Sequence, residues 1–307
     1  QGQAAYSNMP VASSAEANGK QVVRFATSPK MSSYLLHLTV GDLERISRKA
    51  AGVEIGIVTR KGAAEQGRVA LDAAAEILPW YNDYFGTSYP LPKLDMIAVP
   101  GTSQFFGAME NWGAIMYFEQ ALLMDPQISS ESDRLNIYDA VAHEMAHQWF
   151  GNLVTMEWWD DLWLNEGYAT WMAEKAASTL RSQWNVPLLT VKWPREFALQ
   201  SDASDATHPI VQRVASVDAA SQAFDAIAYN KGSAVIRMLE ASLGETGFRD
   251  GIRRYVRRYA YDNTVTDQLW SELASATNRP VIDIARDFTL QPGVPLVKAV
   301  AGRCESG

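Results

Sequence analysis

Cysteine is nearly absent from this chain. Cys304 is the only one in 307 residues, so no internal disulfide can form and the redox compartment stays open; a cytoplasmic and an exported location are both compatible. No run approaches the ~20 apolar residues that a spanning helix needs. No internal repeat and no low-complexity linker interrupts residues 44–290, which excludes a repeat array. Positive charge is in deficit, with 27 Lys and Arg against 35 Asp and Glu, a net charge of -8. That balance argues against nucleic acid as a partner and suits cationic ligands. Histidine is scarce too: only His37, His143, His147 and His208 occur. What remains is ordinary. The composition, 47% hydrophobic and 20% charged, excludes a disordered chain or a fibre and is that of a soluble globular protein of one large or two medium domains. Such a chain buries a core without metal staples, so a bound metal would be functional rather than structural.

Strand patterns come first. Tyr34–Val40 is apolar, aromatic and β-branched, and Val53–Thr59, Leu94–Val99 and Gly113–Tyr117 follow. Residues 1–24 read as a loop or hairpin remnant. Arg68–Leu78 repeats apolar residues at helical spacing and is expected to end at Pro79. From about Glu131 long helices take over: Asp133–Phe150, Leu164–Leu180 and Ser233–Leu243, then Arg249–Tyr259 and Asp267–Ala276. Strands followed by helices imply an α+β fold. Phe288–Val300 reads as the start of a new extended segment, so the chain has the look of something cut from a larger protein at both ends.

The chemistry concentrates in His143–His147, HEMAH. On a helix, residues four apart share a face, about 6 Å from each other. Two imidazoles so placed can reach one zinc at about 2.0–2.1 Å. Glu144 projects from the adjacent position, suited to contact a metal-bound water. Catalytic zinc takes a third protein ligand, and Glu166, in LWLNEGYATW at the start of the next helix, is the best candidate. Read blandly, both histidines are ordinary helix residues. Their flanks oppose that: Val141, Ala142, Ala146, Trp149 and Phe150 put them beside a buried stripe, where unpartnered polar groups are costly.

HEMAHQWFGNLVTMEWWDDLWLNEG resembles the zinc aminopeptidases of the aminopeptidase N family, in the gluzincin group of metallopeptidases. The family's HExxH, eighteen-residue spacer and Glu are matched by His143, His147 and Glu166. Its GxMEN signature stands here as GAMENWG, Gly107–Gly113, and its Y-x-K-G context as AYNKG with Tyr229. The resemblance runs from about Phe25 to Val300.

This resemblance implies a thermolysin-like catalytic domain, a mixed-sheet lobe followed by a mainly helical lobe, that hydrolyses the N-terminal peptide bond of peptides. One Zn2+ would be held by His143, His147 and Glu166. Glu144 would act as general base, and Tyr229 would share the developing oxyanion with the metal. Glu110 would bind the substrate's free α-ammonium, while Gly107, Ala108, Met109 and Asn111 line the substrate as an edge strand, a form of β-augmentation. Phe106 either reshapes the pocket for the first side chain or packs into the core beneath the strand. The family often places an acidic residue seven positions after the third ligand. Here that position is Ala173, and Glu174 is next. Glu174, Asp160 and Asp161 are candidate partners of the zinc histidines, helix capping being the simpler reading of the two aspartates. Lys231 reads as structural, and His37 and His208 are not expected to be ligands. The tryptophans of EWWDDLW read as core.

By the same resemblance, residues 1–46 correspond to the C-terminal remnant of an N-terminal β domain, 47–288 to the catalytic domain, and 289–307 to the start of a following β-sandwich. The expected partners are peptide substrates with a free N-terminus and the missing neighbouring domains, with no nucleic acid. The family's N-terminal domain supplies a further Glu or Gln to the substrate amine, and residues 1–46 hold no match for it. The alternatives are a gluzincin endopeptidase or epoxide hydrolase, or a truncated binding fragment that retains the motifs.

Overall fold

A computed structural model describes residues 2–103, 106–125 and 127–300. Cys304 and the last part of the expected sandwich segment lie outside them. The chain opens with β1 (Ala4–Ser7), the hairpin β2 (Val11–Ala17) and β3 (Lys20–Phe25), and β4 (Leu38–Gly41), which pairs antiparallel with β1. The main sheet follows: β5 (Leu43–Ala50), β6 (Val53–Arg60), β7 (Lys93–Val99), β8 (Ala108–Met109) and β9 (Ala114–Phe118), in the order β5-β6-β7-β9-β8. The pairs β6–β7 and β7–β9 are parallel, while β5–β6 and β8–β9 are antiparallel. Buried on both faces, β6 and β7 need nearly continuous apolar residues, as their sequences provide. The charge-rich β5 carries no such signal, and its pattern alone does not announce it. Lys93 ties the sheet to its neighbours: its ammonium donates to the Ser7 and Gly113 carbonyls and pairs with Asp95 at 2.9 Å.

The helical part contains α1 (Arg68–Phe85), α2 (Glu119–Leu122), α3 (Glu131–His147), α4 (Trp163–Leu180), α5 (Val186–Thr190), α6 (Glu196–Asp202), α7 (Val217–Ala220), α8 (Gly232–Leu243), α9 (Glu245–Tyr259), α10 (Thr266–Thr277) and α11 (Val281–Thr289). Two short parallel strands, β10 (Val154–Met156) and β11 (Asp262–Thr264), join α3's exit to the segment before α10. The fold is α+β. Among the described residues no helix is long and apolar enough to cross a membrane.

Three elements depart from the sequence reading. First, α1 runs through Pro79 to Phe85 and stops at Gly86, whose φ of 59° is left-handed. An interior proline costs about 3 kcal/mol. Burying Tyr81, Tyr84 and Phe85 in the extra turn, at about 2 kcal/mol or more each, outweighs it. Second, Tyr34–Val40 is not one strand. A short 3-10 turn, Ser33–Leu35, precedes β4, because Leu35 is fully buried and the Asn8 side chain binds both the Leu35 carbonyl and the His37 amide. Third, Phe288 does not open an extended segment. It lies in α11, where Thr289 is buried and bonds back to Ala285.

One core joins the two halves. At its centre Phe85 stacks on Trp149, ring centroids 4.9 Å apart, and touches Phe150 and Tyr81. That cluster supports the chain immediately beyond His147. Phe85→Ala should therefore cost about 3–5 kcal/mol of stability, measured by guanidinium unfolding followed through tryptophan fluorescence. A loss below about 1 kcal/mol would show that the cluster is not a close-packed core.

Candidate active site

Helix α3 begins at Ser130, whose hydroxyl accepts the Asp133 amide while the Asp133 carboxylate accepts the Ser130 amide, a reciprocal cap. It ends at His147 rather than at Phe150. The chain then folds back so that the His147 Nδ1–H donates to the Phe150 carbonyl at 3.0 Å. With Nδ1 so engaged, Nε2 is the nitrogen that faces Glu166 and can hold either a proton or a metal. A carboxylate or a carbonyl can fill this role, and for His147 it is the Phe150 backbone carbonyl. The three proposed partners lie elsewhere. Glu174 pairs with Arg237 of α8, Asp160 accepts the Val214 amide, and Asp161 accepts the amide and hydroxyl of Thr266 at the start of α10. Asp161 thus serves a helix N-terminus, as the capping reading expects, but that of α10; the start of α4 has no side-chain cap.

His143, His147 and Glu166 converge. Their facing atoms stand at 3.1 Å (Nε2 to Nε2), 3.3 Å (His143 Nε2 to Glu166 Oε2) and 3.3 Å (His147 Nε2 to Glu166 Oε2). Three donors bound tetrahedrally at about 2.0–2.1 Å lie about 3.3 Å apart, so the donor set fits a single zinc. The electrostatics fit too. Burial works against a charge on His147, but Glu166, Glu110 and Glu144 outweigh it and raise its pKa to about 10. Burial also opposes ionisation of Glu166, yet His147 and His143 hold its carboxyl far below the usual range. A place where negative charge recruits a proton this strongly can recruit a dication instead.

Glu144 lies beside this triplet and is buried. Its Oε2 has no hydrogen-bond partner among the described residues. Burial pushes its pKa well up; His147 opposes this, and Glu110 and Glu166 add to it. Such a carboxyl is poised to hold a proton. Tyr229 sits on the other side, its ring parallel to that of His143 with centroids 6.1 Å apart. Burial, then Glu166, Glu144 and Glu110, drive the phenol far above its ordinary range, so it remains a donor at neutral pH.

Backbone proximity brings Tyr229 there. A Cβ on Gly167, next to Glu166, would come within 3.2 Å of the Ala228 carbonyl oxygen and of Gly232. Only glycine lets α4 approach the π-helical turn Ile227–Lys231 so closely. Lys231 pairs with Asp202 at 2.9 Å, in keeping with a structural role.

Ala108 and Met109 form the edge strand β8, paired on β9 through Ala108–Tyr117 and Met109–Met116. Gly107 accepts the Phe118 amide through its carbonyl, and the Asn111 amide donates to the Met109 carbonyl. The tight turn beyond needs Gly113, with φ at 78° and the Asn8 carbonyl 2.5 Å from where a Cβ would stand. Glu110 is buried and shares one cluster with Glu144 and His147. Phe106 is half-exposed and packs on Phe118 at 5.8 Å, so it is not a core residue.

Sequence reasoning missed the groups that hold Glu110. Gln148 and Asn152 both donate to its carbonyl, at 3.2 and 2.8 Å, and the Tyr34 phenol reaches Glu110 Oε1 at 3.3 Å. The two amides stand in HQWFGN directly after the zinc motif, which was the available signal. Tyr34 had none, because only folding brings it to Glu110. Of the tryptophans in EWWDDLW, Trp163 is buried while Trp158 is half-exposed.

Comparison with known proteins agrees with this geometry. Residues 69–288 match the family described as "Peptidase family M1 domain". The chain is 43% identical over 291 residues to the "Probable aminopeptidase 2" of Sulfurisphaera tokodaii, covering 95% of this chain and 37% of that protein. It is 41% identical to the "Leucyl aminopeptidase" of Saccharolobus solfataricus, covering 97% and 38%. It is 42% identical to the "Puromycin-sensitive aminopeptidase" of Caenorhabditis elegans, covering 96% and 31%. The chain thus spans about a third of the length of the curated relatives it matches.

The close approach at Gly167 is testable. Gly167→Val should destabilise the protein by about 1–3 kcal/mol, because its branched side chain meets backbone rather than a yielding side chain. Chemical unfolding would measure this. A change within about 0.5 kcal/mol would show that α4 and the Tyr229 turn separate at no cost.

Proposed function

The chain belongs to peptidase family M1, and from that premise we propose that it is the catalytic portion of a zinc aminopeptidase with a thermolysin-like fold. One observation carries the reading. The buried Glu110 carboxylate, at the end of an edge strand, shares a pocket with Glu144 and with the two-His-one-Glu donor set.

In this reading His143, His147 and Glu166 hold one zinc. When bound, it supplies Lewis-acid polarisation of the peptide carbonyl and lowers the pKa of water. The peptide lies antiparallel or parallel along β8, and its main chain bonds the free edge at Ala108 and Met109. Glu110 receives the α-ammonium, which places only the first peptide bond at the centre. Glu144, ionised beside the dication, takes a proton from the attacking water and passes it to the leaving amine, a role suited to a carboxylate whose burial raises its proton affinity. Tyr229 donates its phenolic hydrogen to the developing oxyanion. The charge sum supports the amine preference. Glu110, Glu144 and Glu166 contribute -3, zinc +2 and the substrate ammonium +1. An internal peptide bond brings no ammonium and leaves a buried carboxylate unpaired.

The segments around this centre follow the same proposal. Residues 1–46 are the end of a preceding β domain, 47–288 the catalytic domain and 289–307 the start of a following β-sandwich. Because β5 pairs with β6 along its whole length, it belongs with the catalytic sheet although it begins at Leu43. Neighbouring domains of the parent protein then close the cleft.

Glu144→Gln should retain about one zinc per chain by metal analysis and lose hydrolysis of aminoacyl-anilides by roughly a thousandfold or more. Full activity would remove the general-base role. Glu110→Ala should raise KM for substrates with a free amine by roughly tenfold or more while N-acetylated peptides stay uncleaved by either form. Cleavage of N-acetylated peptides at the rate of free ones by the parent chain would identify an endopeptidase instead.

A further inference from the structure

His208, in DATHPI, lies in a loop. Its surroundings are nevertheless specific. Nε2 faces Asp225 Oδ2 at 2.6 Å, and Nδ1 faces the Pro209 carbonyl at 2.7 Å. A carbonyl and an ionised carboxylate only accept, so both ring nitrogens must donate, and the ring is an imidazolium. Asp225 uses its other oxygen on the backbone: Oδ1 accepts the amides of Ile227 and Ala228 at 2.9 and 3.0 Å, and its carbonyl accepts the Tyr229 amide at 3.1 Å. These three amides begin the π-helical turn that carries Tyr229, and they would otherwise lack partners at a helix start. Asp225, Tyr229 and His143 line the same cavity.

The other end of that turn is tied to the same loop. Lys231 pairs with Asp202, whose Oδ1 also accepts the Thr207 hydroxyl and the Gly293 amide. Residues 202–208 therefore grip the Tyr229 turn at both ends, through Asp225 before it and Lys231 as its last residue.

We propose that His208 and Asp225 are a positioning pair for Tyr229: His208 fixes Asp225, and Asp225 holds the turn at the angle from which the phenol reaches the His143–Glu166 face. The pair touches no substrate and acts only through Tyr229. The proposal rests on the catalytic reading of Tyr229 given above. The charged groups facing His208 are Asp225, from the loop before the turn, and Lys231, on the turn itself. The hydrogen bond to Asp225 raises the pKa of His208, burial opposes this, and Lys231 opposes it further. The grip is therefore complete below that raised value and is lost as pH rises through it. One nitrogen then presents a lone pair to an acceptor.

The full chain tests this in three ways. Ring nitrogen shifts of the four histidines should show His208 doubly protonated at pH 7; a neutral ring there overturns the proposal without any variant. His208→Gln should speed hydrogen exchange at the Ile227, Ala228 and Tyr229 amides by roughly tenfold, and unchanged exchange overturns it. In zinc-loaded protein the same variant should lower kcat by roughly tenfold with KM nearly unchanged. In a Tyr229→Phe background its effect should shrink below about twofold, whereas equal losses in both backgrounds would show that His208 does not act through Tyr229. His208→Arg, which keeps the charge and the donors, should recover most of kcat and abolish the alkaline decline; no recovery, with the decline retained, counts against the pair. If zinc-loaded parent protein hydrolyses no aminoacyl substrate, the aminopeptidase reading falls, while the ring and exchange measurements still decide whether His208 holds the turn.

Discussion

Three carboxylates, Glu110, Glu144 and Glu166, are buried in one pocket with two imidazoles, and the arrangement around them compensates that concentration of negative charge. Isolated buried carboxylates cost many kcal/mol, and three together cannot all remain ionised without cations. The structure distributes the burden. Glu166 keeps its charge between His143 and His147, Glu144 is driven toward its protonated form, and Glu110 lies where it can receive a cation. With a dication at the triplet and an ammonium at Glu110, all three carboxylates can be ionised, Glu144 included, in a pocket of zero net charge. In the proposed reaction, affinity for metal and preference for a free amine are thus two consequences of one charge deficit.

Holding that deficit in place requires rigid supports from several parts of the chain. Helix α3 supplies both histidines and Glu144, and α4 supplies Glu166. The sheet edge supplies Glu110, and the π-helical turn supplies Tyr229. Three of these supports are fixed by backbone-directed bonds rather than by long side-chain pairs. His147 is oriented by the Phe150 carbonyl, Glu110 by Gln148 and Asn152 acting on its own carbonyl, and the Tyr229 turn by Asp225. Bonds to backbone cost little side-chain entropy on the fixed residue, and they leave the catalytic side chains free for ligands. The aromatic cluster of Phe85, Trp149 and Phe150 beneath α3's exit supplies the close-packed floor.

The candidate metal ligands His143 and His147 were legible because their spacing is local. Four residues along a helix bring His143 and His147 to one face whatever the rest of the fold does. The long helices and the buried strands were legible too, since 3.6-residue and continuous apolar patterns are local signals. Reading failed where long-range packing overrode local preference. Pro79 stays inside α1 because the aromatic residues beyond it have a core to enter. Tyr34–Val40 breaks because Asn8, far off in sequence, competes for its backbone. The charged β5 is a strand because β6 offers it a full ladder.

Sequence alone determined the family resemblance, the α+β order and the candidate donor set, all of which depend on residue type and near-neighbour spacing. Tertiary structure decided what those residues face. Glu174 turned to Arg237 rather than to His143 or His147, and the Phe150 backbone carbonyl became the partner of His147. His208, unremarkable in DATHPI, met Asp225 across 17 residues. The physical reason is common to these cases. A hydrogen bond depends on positions within a few tenths of an ångström, and those are set by the packing of elements distant in sequence, not by the chain's local pattern.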